Sequence, residues 1–402
     1  MNAAHRQAIS LASLTALGLL ASDLFLPALP AMRAELAASL PSAQATMALF
    51  MAALALSQLA WGWAADRFGD RATIVTGTAL LGGGSLACAL APDIDAMLAG
   101  RLLQGLGAGA ATVAVPALIR RRFSATDAVR ALAVVAMAES TIPALGPVVG
   151  AAIVLNAGWR STFWLIAALA LLLLPLVARI VGAAPLAVPA PTASGGLLRA
   201  YLPLLRNRRY CRYALSYAAM FGALLMYVAS APVLVTQALG LGITAFAVLQ
   251  ICGVLAFMLG AAAAVRLVKI RGQDWLMRGG MLLQYLAGAG LVGLALLGWR
   301  GTPGLTALAL LAALFCGGLG LRGAATMGGA LHAAGEAAGK GAGLLMFLSF
   351  AAVAGATQLV APFLHYGLLP VGVLLFALVS ASALLLPKFG VRADIRTSST
   401  HH

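Results

Sequence analysis

The chain has 402 residues, of which 62% are hydrophobic and only 9% are charged. Because a spanning helix needs about 20 apolar residues, this composition excludes a mainly soluble protein and indicates an all-α integral membrane protein. The net charge of +15 does not indicate nucleic-acid binding, because the basic residues fall in short connections between apolar runs.

Twelve apolar runs follow one another along the chain, and we number them as predicted spans 1 to 12. They cover residues 8–31, 45–65, 72–91, 96–118, 131–156, 161–183, 211–237, 243–265, 278–298, 303–329, 340–365 and 367–387. Alternate connections should share one side of the membrane with both termini. Of the 26 Lys and Arg residues, 21 fall on that side, 3 on the other and 2 inside spans. By the positive-inside rule, this split predicts that both termini are cytoplasmic.

The longest connection predicts the domain organisation. It covers residues 184–210, opens rich in proline and alanine, and ends basic. We therefore predict an N-terminal six-helix bundle (1–183), a cytoplasmic central loop (184–210), a C-terminal six-helix bundle (211–387) and a cytoplasmic tail (388–402). Two such bundles around a midplane site are the usual build of a secondary transporter. The first run is interpreted as a retained span and not as a signal peptide.

Span 1 contains a carboxylate near its middle, in the sequence S-D-L-F-L-P-A-L-P of residues 22–30. A carboxylate in hydrocarbon is expected to be paired, protonated or exposed to a water-filled cavity. Asp23 is therefore the leading candidate for exchanging a proton against a substrate, and the alternative is a structural acid paired with Arg101. Pro27 and Pro30 are predicted to break the helix just beyond it.

Two further spans carry polar residues that belong to the same hypothesis. Arg101 and Gln104 lie one turn apart on span 4. Arg101 is expected either to tune Asp23 or Glu139 or to act in packing, and Gln104 is a candidate substrate contact. On span 5, Glu139 shares a face with Pro147 and is interpreted as a second proton site, a cation binder or a packing residue.

The remaining candidates concern gating and substrate contact. Gly146 and Pro147 belong to a predicted helix-bending and packing seam of span 5, in which Gly146 and Gly150 are expected to let another helix approach closely. On span 7, a stripe at helical spacing predicts a permissive apolar wall, or alternatively lipid or core contact; it includes Tyr217, Met220 and Leu224. Arg322 in span 10 is expected to contact an anionic substrate or to reach the cytoplasmic rim.

The connection between spans 2 and 3 is predicted to be a cytoplasmic latch, with plain topological anchoring as the alternative. Its candidate gating residues are Gly62, Asp66, Arg67, Gly69 and Arg71. The second half of the chain has a looser version of this connection at residues 260–272.

These stretches resemble motifs of the major facilitator superfamily. Residues 62–71 resemble its G-x-x-x-D-R-x-G-R-R signature, residues 98–109 its span-4 motif with an embedded arginine, and residues 143–151 its antiporter motif of span 5. Residues 23–30, together with S-A-P at 230–232, resemble the bicyclomycin/chloramphenicol-resistance branch of twelve-helix drug/proton antiporters. The chain departs from this pattern at Asp70, where the family has a basic residue, and at Glu139 and Arg322, where the branch is usually apolar.

The resemblance implies a proton-coupled exporter of small amphipathic drugs, such as chloramphenicol- or bicyclomycin-like compounds, that works by alternating access. It implies a monomer in the bacterial inner membrane that uses the proton gradient and needs no cofactor, metal or nucleic acid. A dedicated exporter of a metabolite, such as a siderophore, nucleoside, amino acid or sugar, is the alternative, since Arg101 and Arg322 would suit a polar or anionic cargo. A membrane enzyme is disfavoured, because no metal-ligand cluster or nucleophile–base pair stands out in the sequence.

Overall fold

The computed structural model of the chain describes residues 3–180 and 197–386, and this part contains helices joined by short turns and no strand. The helices are α1 (Ala3–Asp23), α2 (Leu29–Glu35), α3 (Leu40–Ala89), α4 (Ile94–Arg122), α5 (Ala125–Ala157), α6 (Arg160–Ile180), α7 (Leu197–Arg206), α8 (Arg208–Val233), α9 (Ile243–Leu297), α10 (Gly301–Ala334), α11 (Ala338–Val360) and α12 (Leu368–Leu385). Short 3₁₀ or π turns extend α8 and α11 and connect α1 to α2.

Two helices are too long for one crossing and turn back at a glycine. α3 has 50 residues and α9 has 55. Gly69 interrupts α3 with φ +83° and ψ 161°, and Gly272 interrupts α9 with φ +78° and ψ 169°. Such a left-handed φ favours glycine. We call the parts before and after each glycine the first and second arms. The matching conformations confirm that the two halves of the chain repeat one design at this connection.

The helices account for all twelve predicted spans. α1 with α2 forms span 1, the arms of α3 form spans 2 and 3, α8 forms span 7, and the arms of α9 form spans 8 and 9. Nine helical stretches of the described chain are long and apolar enough to cross a membrane, with the two arms of α9 taken as one stretch. The two other spans are α5, which bends by 45° between Pro143 and Leu145, and α6, whose apolar part is short. The predicted all-α membrane fold is confirmed.

Several helices begin earlier than the apolar runs predicted. α3 begins at Leu40, where the Ser39 hydroxyl accepts a hydrogen bond from the Ser42 amide (3.2 Å). α5 begins at Ala125, behind a similar cap at Ser124. Polar first turns that carry such caps are invisible to a hydropathy count. The end of the predicted 184–210 loop is also helical, since it contains α7 and the start of α8, whereas residues 184–196 and the tail 388–402 lie outside the described residues.

The two bundles are joined on one side of the membrane only. We call the side of the Gly69 and Gly272 bends the arginine-rich side, and the side of Arg33 and Arg300 the arginine-poor side. One large apolar core, which includes residues of α1, α3, α8 and α11, extends across both bundles toward the arginine-poor side. On the arginine-rich side, the first bundle and the second bundle with α7 have separate apolar clusters. The bundles are therefore apart there.

Candidate functional site

The helical ladder of span 1 breaks directly after Asp23. α1 ends at this residue, a turn follows, and a 3₁₀ helix (Leu26–Ala28) with Pro27 leads into α2. Proline lacks the amide hydrogen that an α-helix would use at this point, so the chain tightens and restarts. The predicted break is confirmed. The Asp23 Oδ1 atom accepts a hydrogen bond from the Ser22 hydroxyl (3.0 Å).

An accessible stripe on α1 ends at Asp23. Ser13, Ala16, Leu20 and Asp23 are partly exposed and lie on one face at helical spacing, while the other faces pack on α4, α5 and α6. Beyond Asp23, every residue as far as Leu29 is buried. Since α1 starts at the arginine-rich side, the aspartate lies at the inner end of a path that opens toward that side.

Two glycines of α5 pack closely against the break of span 1. A methyl group added at Gly146 would lie 2.7 Å from the Asp23 Cβ, and one at Gly150 would lie 2.5 Å from the Leu24 carbonyl oxygen. The predicted close approach of another helix is thus confirmed. The 45° bend of α5 lies where the ring of Pro147 would meet the carbonyl four residues earlier.

Glu139 lies at the same contact between α1 and α5, closer to the arginine-rich side. We call this contact the seam. Glu139 is partly exposed and lies near Thr15 of α1, whose hydroxyl donates to the Ala12 carbonyl (3.1 Å). Thr15 and Asp23 are eight residues apart on α1, which corresponds to about 12 Å along the helix. Thr15 lies beside Glu139, and Asp23 lies beside Gly146. Since these partners follow one another in the same order along both helices, α1 and α5 run parallel. The seam therefore carries two acids at different depths.

Arg101 is fully buried inside the first bundle and contacts no carboxylate among the described residues. Its Nε donates to the Thr46 carbonyl (3.2 Å), and its Nη1 donates to the Ala21 carbonyl (3.3 Å) and to Gln104 Oε1. The Gln104 amide nitrogen in turn donates to the Ser85 hydroxyl (2.8 Å). Arg101 thus connects α1, both arms of α3 and α4, and it reaches span 1 through a backbone carbonyl two residues before Asp23.

Aromatic rings complete the surroundings of this guanidinium. Its Cζ lies 4.7 Å from the ring centroid of Phe25 and 4.2 Å from that of Phe50, within the range of cation–π attraction. The structure therefore places Arg101 and Gln104 in the interior of the first bundle and not on the accessible stripe. Sequence reasoning did not identify the two phenylalanines, which are indistinguishable from ordinary core residues by pattern.

The second bundle contributes an aromatic surface. On α8, Tyr213, Tyr217, Phe221 and Leu224 are partly exposed, whereas every residue from 226 to 235 is buried. The Tyr217 and Phe221 rings stack at 6.0 Å. Tyr217 and Leu224 thus lie on a partly exposed stripe of α8. Met220 is fully buried and lies off it, and Phe221, which we had not predicted, takes its place.

The buried part of α8 closes the path on the arginine-poor side. The Gln44 side-chain amide of α3 donates to the Ala229 carbonyl of α8 across the bundle interface (3.3 Å). Apolar residues of both bundles surround this contact, among them Leu26 and Leu234. Both stripes of partly exposed residues therefore end at this buried layer and lie on its arginine-rich side.

The other predicted residues lie away from this path. Arg322 is fully buried among helices of the second bundle. At the connection of spans 2 and 3, Arg67 is exposed beside the Trp63 ring (5.7 Å), Arg71 is exposed, and Gly69 forms the bend. Gly62 is partly exposed, and the Asp66 side chain lies outside the described residues. Asp70, the departure from the family pattern, forms an ion pair with Arg121 at the end of α4.

Within the described residues, no group of three or more His, Cys, Asp or Glu side chains could hold a metal ion. What the site does offer is a partly exposed carboxyl group at a helix break, a second acid on the same seam and an aromatic surface opposite. Such an arrangement can bind and release a proton and contact an apolar molecule in one accessible path.

Comparison with known proteins agrees with this architecture. An uncharacterized MFS-type transporter of Bacillus subtilis, YdgK, is 29% identical over 245 residues, covering 60% of this chain and 61% of that protein. The multidrug resistance protein MdtL of Escherichia coli is 31% identical over 218 residues, covering 54% of this chain and 55% of MdtL. The match thus spans less than two thirds of the length of either relative.

Solved transporter structures share the fold over nearly the whole chain. A POT family transporter in complex with 5-aminolevulinic acid superposes with a TM-score of 0.75 at 13% identity, covering 95% of this chain and 94% of its own. The E. coli xylose transporter XylE, in a partially occluded inward open conformation, superposes with a TM-score of 0.65 at 15% identity, covering 98% of this chain and 100% of its own. The family model of the Major Facilitator Superfamily matches residues 11–357. The chain therefore belongs to the major facilitator superfamily.

Proposed function

We propose that this protein is a proton-coupled exporter of small amphipathic drugs, of the chloramphenicol- or bicyclomycin-resistance branch of its superfamily. The observation that carries the proposal is the position of Asp23, at the inner end of the accessible stripe and at the break of span 1. The name of MdtL, a multidrug resistance protein, points in the same direction. With 21 of the 26 basic residues on the arginine-rich side, we assign that side to the cytoplasm of a bacterial inner membrane.

In this proposal, the observed state is the one that receives substrate from the cytoplasm. The substrate enters between the separated apolar clusters and rests against Tyr217, Phe221 and Leu224 while Asp23 is deprotonated. The bundles then rock, the apolar layer opens, and protonation of Asp23 from the outside favours release of the substrate and return. Glu139 is the second proton site on the way to the cytoplasm. The protein acts as a monomer and needs no cofactor.

The driving force is sufficient for useful export. One charge moved through 100 mV contributes about 2.3 kcal/mol. A difference of one pH unit adds about 1.4 kcal/mol. Together they correspond to a substrate gradient of several hundredfold for each proton exchanged, since each 1.4 kcal/mol is tenfold.

The test is transport in proteoliposomes with an imposed pH gradient and a panel of labelled drugs and metabolites. We expect wild-type protein to move several unrelated amphipathic drugs against their gradient and Asp23→Asn to lose this pH-driven movement. Asp95→Asn is the matched control, because Asp95 is an exposed carboxylate in the first turn of α4. Gradient-driven transport by Asp23→Asn at the wild-type rate would remove Asp23 from the mechanism.

The alternative is a dedicated metabolite exporter, and the same panel distinguishes it. Its main support was the pair of intramembrane arginines, but Arg101 and Arg322 are both fully buried within their bundles. The aromatic surface on α8 fits an apolar cargo better than a sugar or an amino acid. Transport of one polar metabolite, without competition from diverse drugs, would favour the alternative.

A further inference from the structure

A buried cation in the second bundle lacks a counter-charge. Arg322 of α10 is 0% exposed, and its stem packs against Gly280 in the second arm of α9, where an added methyl group would lie 2.9 Å from the Arg322 Cβ. Its Nη2 donates to the Ser382 hydroxyl of α12 (2.8 Å). Its Nε and Nη1 have no hydrogen-bond partner among the residues that the structure describes. Most of this guanidinium is therefore unsatisfied within the described part of the chain.

The Ser382 hydroxyl, the one hydrogen-bond partner that Arg322 has among the described residues, cannot neutralise it. The Ser382 hydroxyl donates to the Ser216 carbonyl of α8 (2.8 Å), and the Ser216 hydroxyl donates to the Ser382 carbonyl (2.8 Å). This reciprocal pair ties α8 to α12 and is neutral. Because an arginine side chain keeps its charge in proteins, a buried guanidinium with only a hydroxyl acceptor is costly unless an anion accompanies it.

The second bundle has no acid in its spans that could supply that charge. Between residues 211 and 386, the sequence contains only Asp274 and Glu336. Asp274 is exposed two residues after the Gly272 bend, and Glu336 stands in the turn between α10 and α11. No carboxylate of the described residues forms an ion pair with Arg322.

A second unsatisfied side chain points at the same place. Gln284, in the second arm of α9, is 0% exposed, and neither its Nε2 nor its Oε1 has a described partner. Its Cγ faces Gly318 of α10, one turn before Arg322, at 3.0 Å from the position of an added methyl group. Side chains lean toward the N-terminus of their own helix, and these two helices are antiparallel. The Arg322 side chain therefore extends along α10 toward Gly318, and the Gln284 side chain extends along α9 toward Gly280. Because the helices are antiparallel, the two side chains extend toward each other.

We propose that Arg322 and Gln284 together bind a small monovalent inorganic anion, with chloride as the abundant representative. The guanidinium offers Nε–H and Nη1–H, and the amide offers Nε2–H, which gives an anion at least three donors. These donors lie beside the close contact of Gly280 with Gly318, where a methyl group added at either glycine would lie 2.5 Å from the carbonyl oxygen of the other. In the first bundle, the corresponding pair differs: Gln104 accepts from Arg101, and backbone carbonyls take its other donors. That arginine is satisfied from within, whereas Arg322 requires a ligand from outside the chain.

The test uses the purified full-length protein in detergent and requires no transport. Thermal unfolding is followed while chloride replaces gluconate at constant ionic strength. Because a ligand that binds only the folded state stabilises it by RT ln(1 + [L]/Kd), we expect the midpoint to rise by about 2–4 °C when chloride reaches roughly ten times its dissociation constant. Nitrate and bromide should substitute for chloride, and sulfate should not. In crystals grown with bromide, an anomalous peak should lie between Arg322 and Gln284.

Single substitutions test whether the chloride dependence of the unfolding midpoint arises at Arg322 and Gln284. Arg322→Met should abolish the chloride dependence, and Gln284→Leu should raise the half-saturating chloride concentration about tenfold. Arg101→Met is the matched control, since it removes an equally buried arginine but should destabilise the protein equally in chloride and gluconate. Chloride dependence that persists in Arg322→Met would overturn the proposal. Should that variant fail to fold, an unchanged response in Gln284→Leu, or the absence of a bromide peak in the wild type, would overturn it equally.

Discussion

Substituting Gly150 by alanine tests whether α5 holds the break of span 1 in place. The added methyl group would lie 2.5 Å from the Leu24 carbonyl oxygen and 2.9 Å from the Pro27 Cγ. Both are atoms of the backbone or of a closed ring, so no rotamer change can relieve the contact. Since carbon atoms in contact prefer about 3.5–4.0 Å, α5 would have to move away from span 1 by roughly 1 Å.

The loss of stability caused by this overpacking is obtained by comparing two glycine-to-alanine variants. Overpacking of this kind costs about 1–3 kcal/mol. Replacing glycine by alanine within a helix also gives an intrinsic gain of about 1 kcal/mol, which must be separated from that cost. Gly293→Ala, in the second arm of α9, supplies the reference because no atom lies within 4 Å of its added methyl group. The intrinsic gain is common to both variants, so Gly150→Ala should be less stable than Gly293→Ala by about 1–3 kcal/mol.

The free energy of unfolding is measured by titration with a denaturing detergent in mixed micelles, and pH-driven drug transport is measured alongside it. We expect Gly150→Ala to transport more slowly than Gly293→Ala, because the displaced seam carries Asp23. Equal stability of the two variants would show that α5 does not contact span 1 as described. Lower stability with unchanged transport would show that the seam is structural only.

Three further predictions concern the first bundle. Arg101→Met should lower the free energy of unfolding by about 1–3 kcal/mol, because buried carbonyls and Gln104 lose their charged donor; a loss under about 0.5 kcal/mol would contradict the described network. In a background without native cysteines, a maleimide added from the arginine-rich side should label Ser13→Cys and leave Ala28→Cys unlabelled, since the partly exposed stripe of α1 ends between them; equal labelling would contradict the burial of this layer. Glu35→Gln should cost less than about 1 kcal/mol despite the Glu35–Arg160 ion pair and a 2.7 Å hydrogen bond from the Trp159 ring, because the Glu35 side chain is half-exposed. A loss above 2 kcal/mol would show that this pair is a structural lock.

Much of the architecture could be predicted from the sequence, because hydrocarbon imposes simple rules. Apolar runs of about 20 residues and the distribution of basic residues gave the number of spans. The break in span 1 could be predicted from the prolines after Asp23, because proline lacks the amide hydrogen that the helix needs at that point in the chain. Helix starts were less accurate, since caps such as Ser39 stand in polar turns.

The candidate site could be predicted only in part, because side-chain partners depend on tertiary packing. Arg101 is predicted from the sequence either to tune Asp23 or Glu139 or to act in packing, and in the described structure it donates to backbone carbonyls and to Gln104. Nothing in the sequence distinguishes a guanidinium satisfied by carbonyls from one satisfied by an acid. For the same reason, spacing selected Met220 for the accessible surface, although the helix is rotated so that Phe221 lies there.

The distribution of charge between the bundles has a consequence for coupling. The acids within spans, Asp23 and Glu139, both belong to the first bundle, while the second bundle has Arg322 and no acid in its spans. A proton bound at Asp23 therefore changes the charge of one bundle only, at the break where span 1 meets α5. The aromatic surface of α8 lies on the other bundle and keeps its chemistry in every protonation state. We consider the case in which the bundles rock about the apolar layer between them. Protonation then changes the free energy of burying the face that the first bundle turns toward the second. A bound substrate changes the free energy of burying the opposite face, which belongs to the second bundle. Both terms act on one interface, so under the proposed proton coupling a proton and a substrate would influence each other through that interface without any direct bond between them.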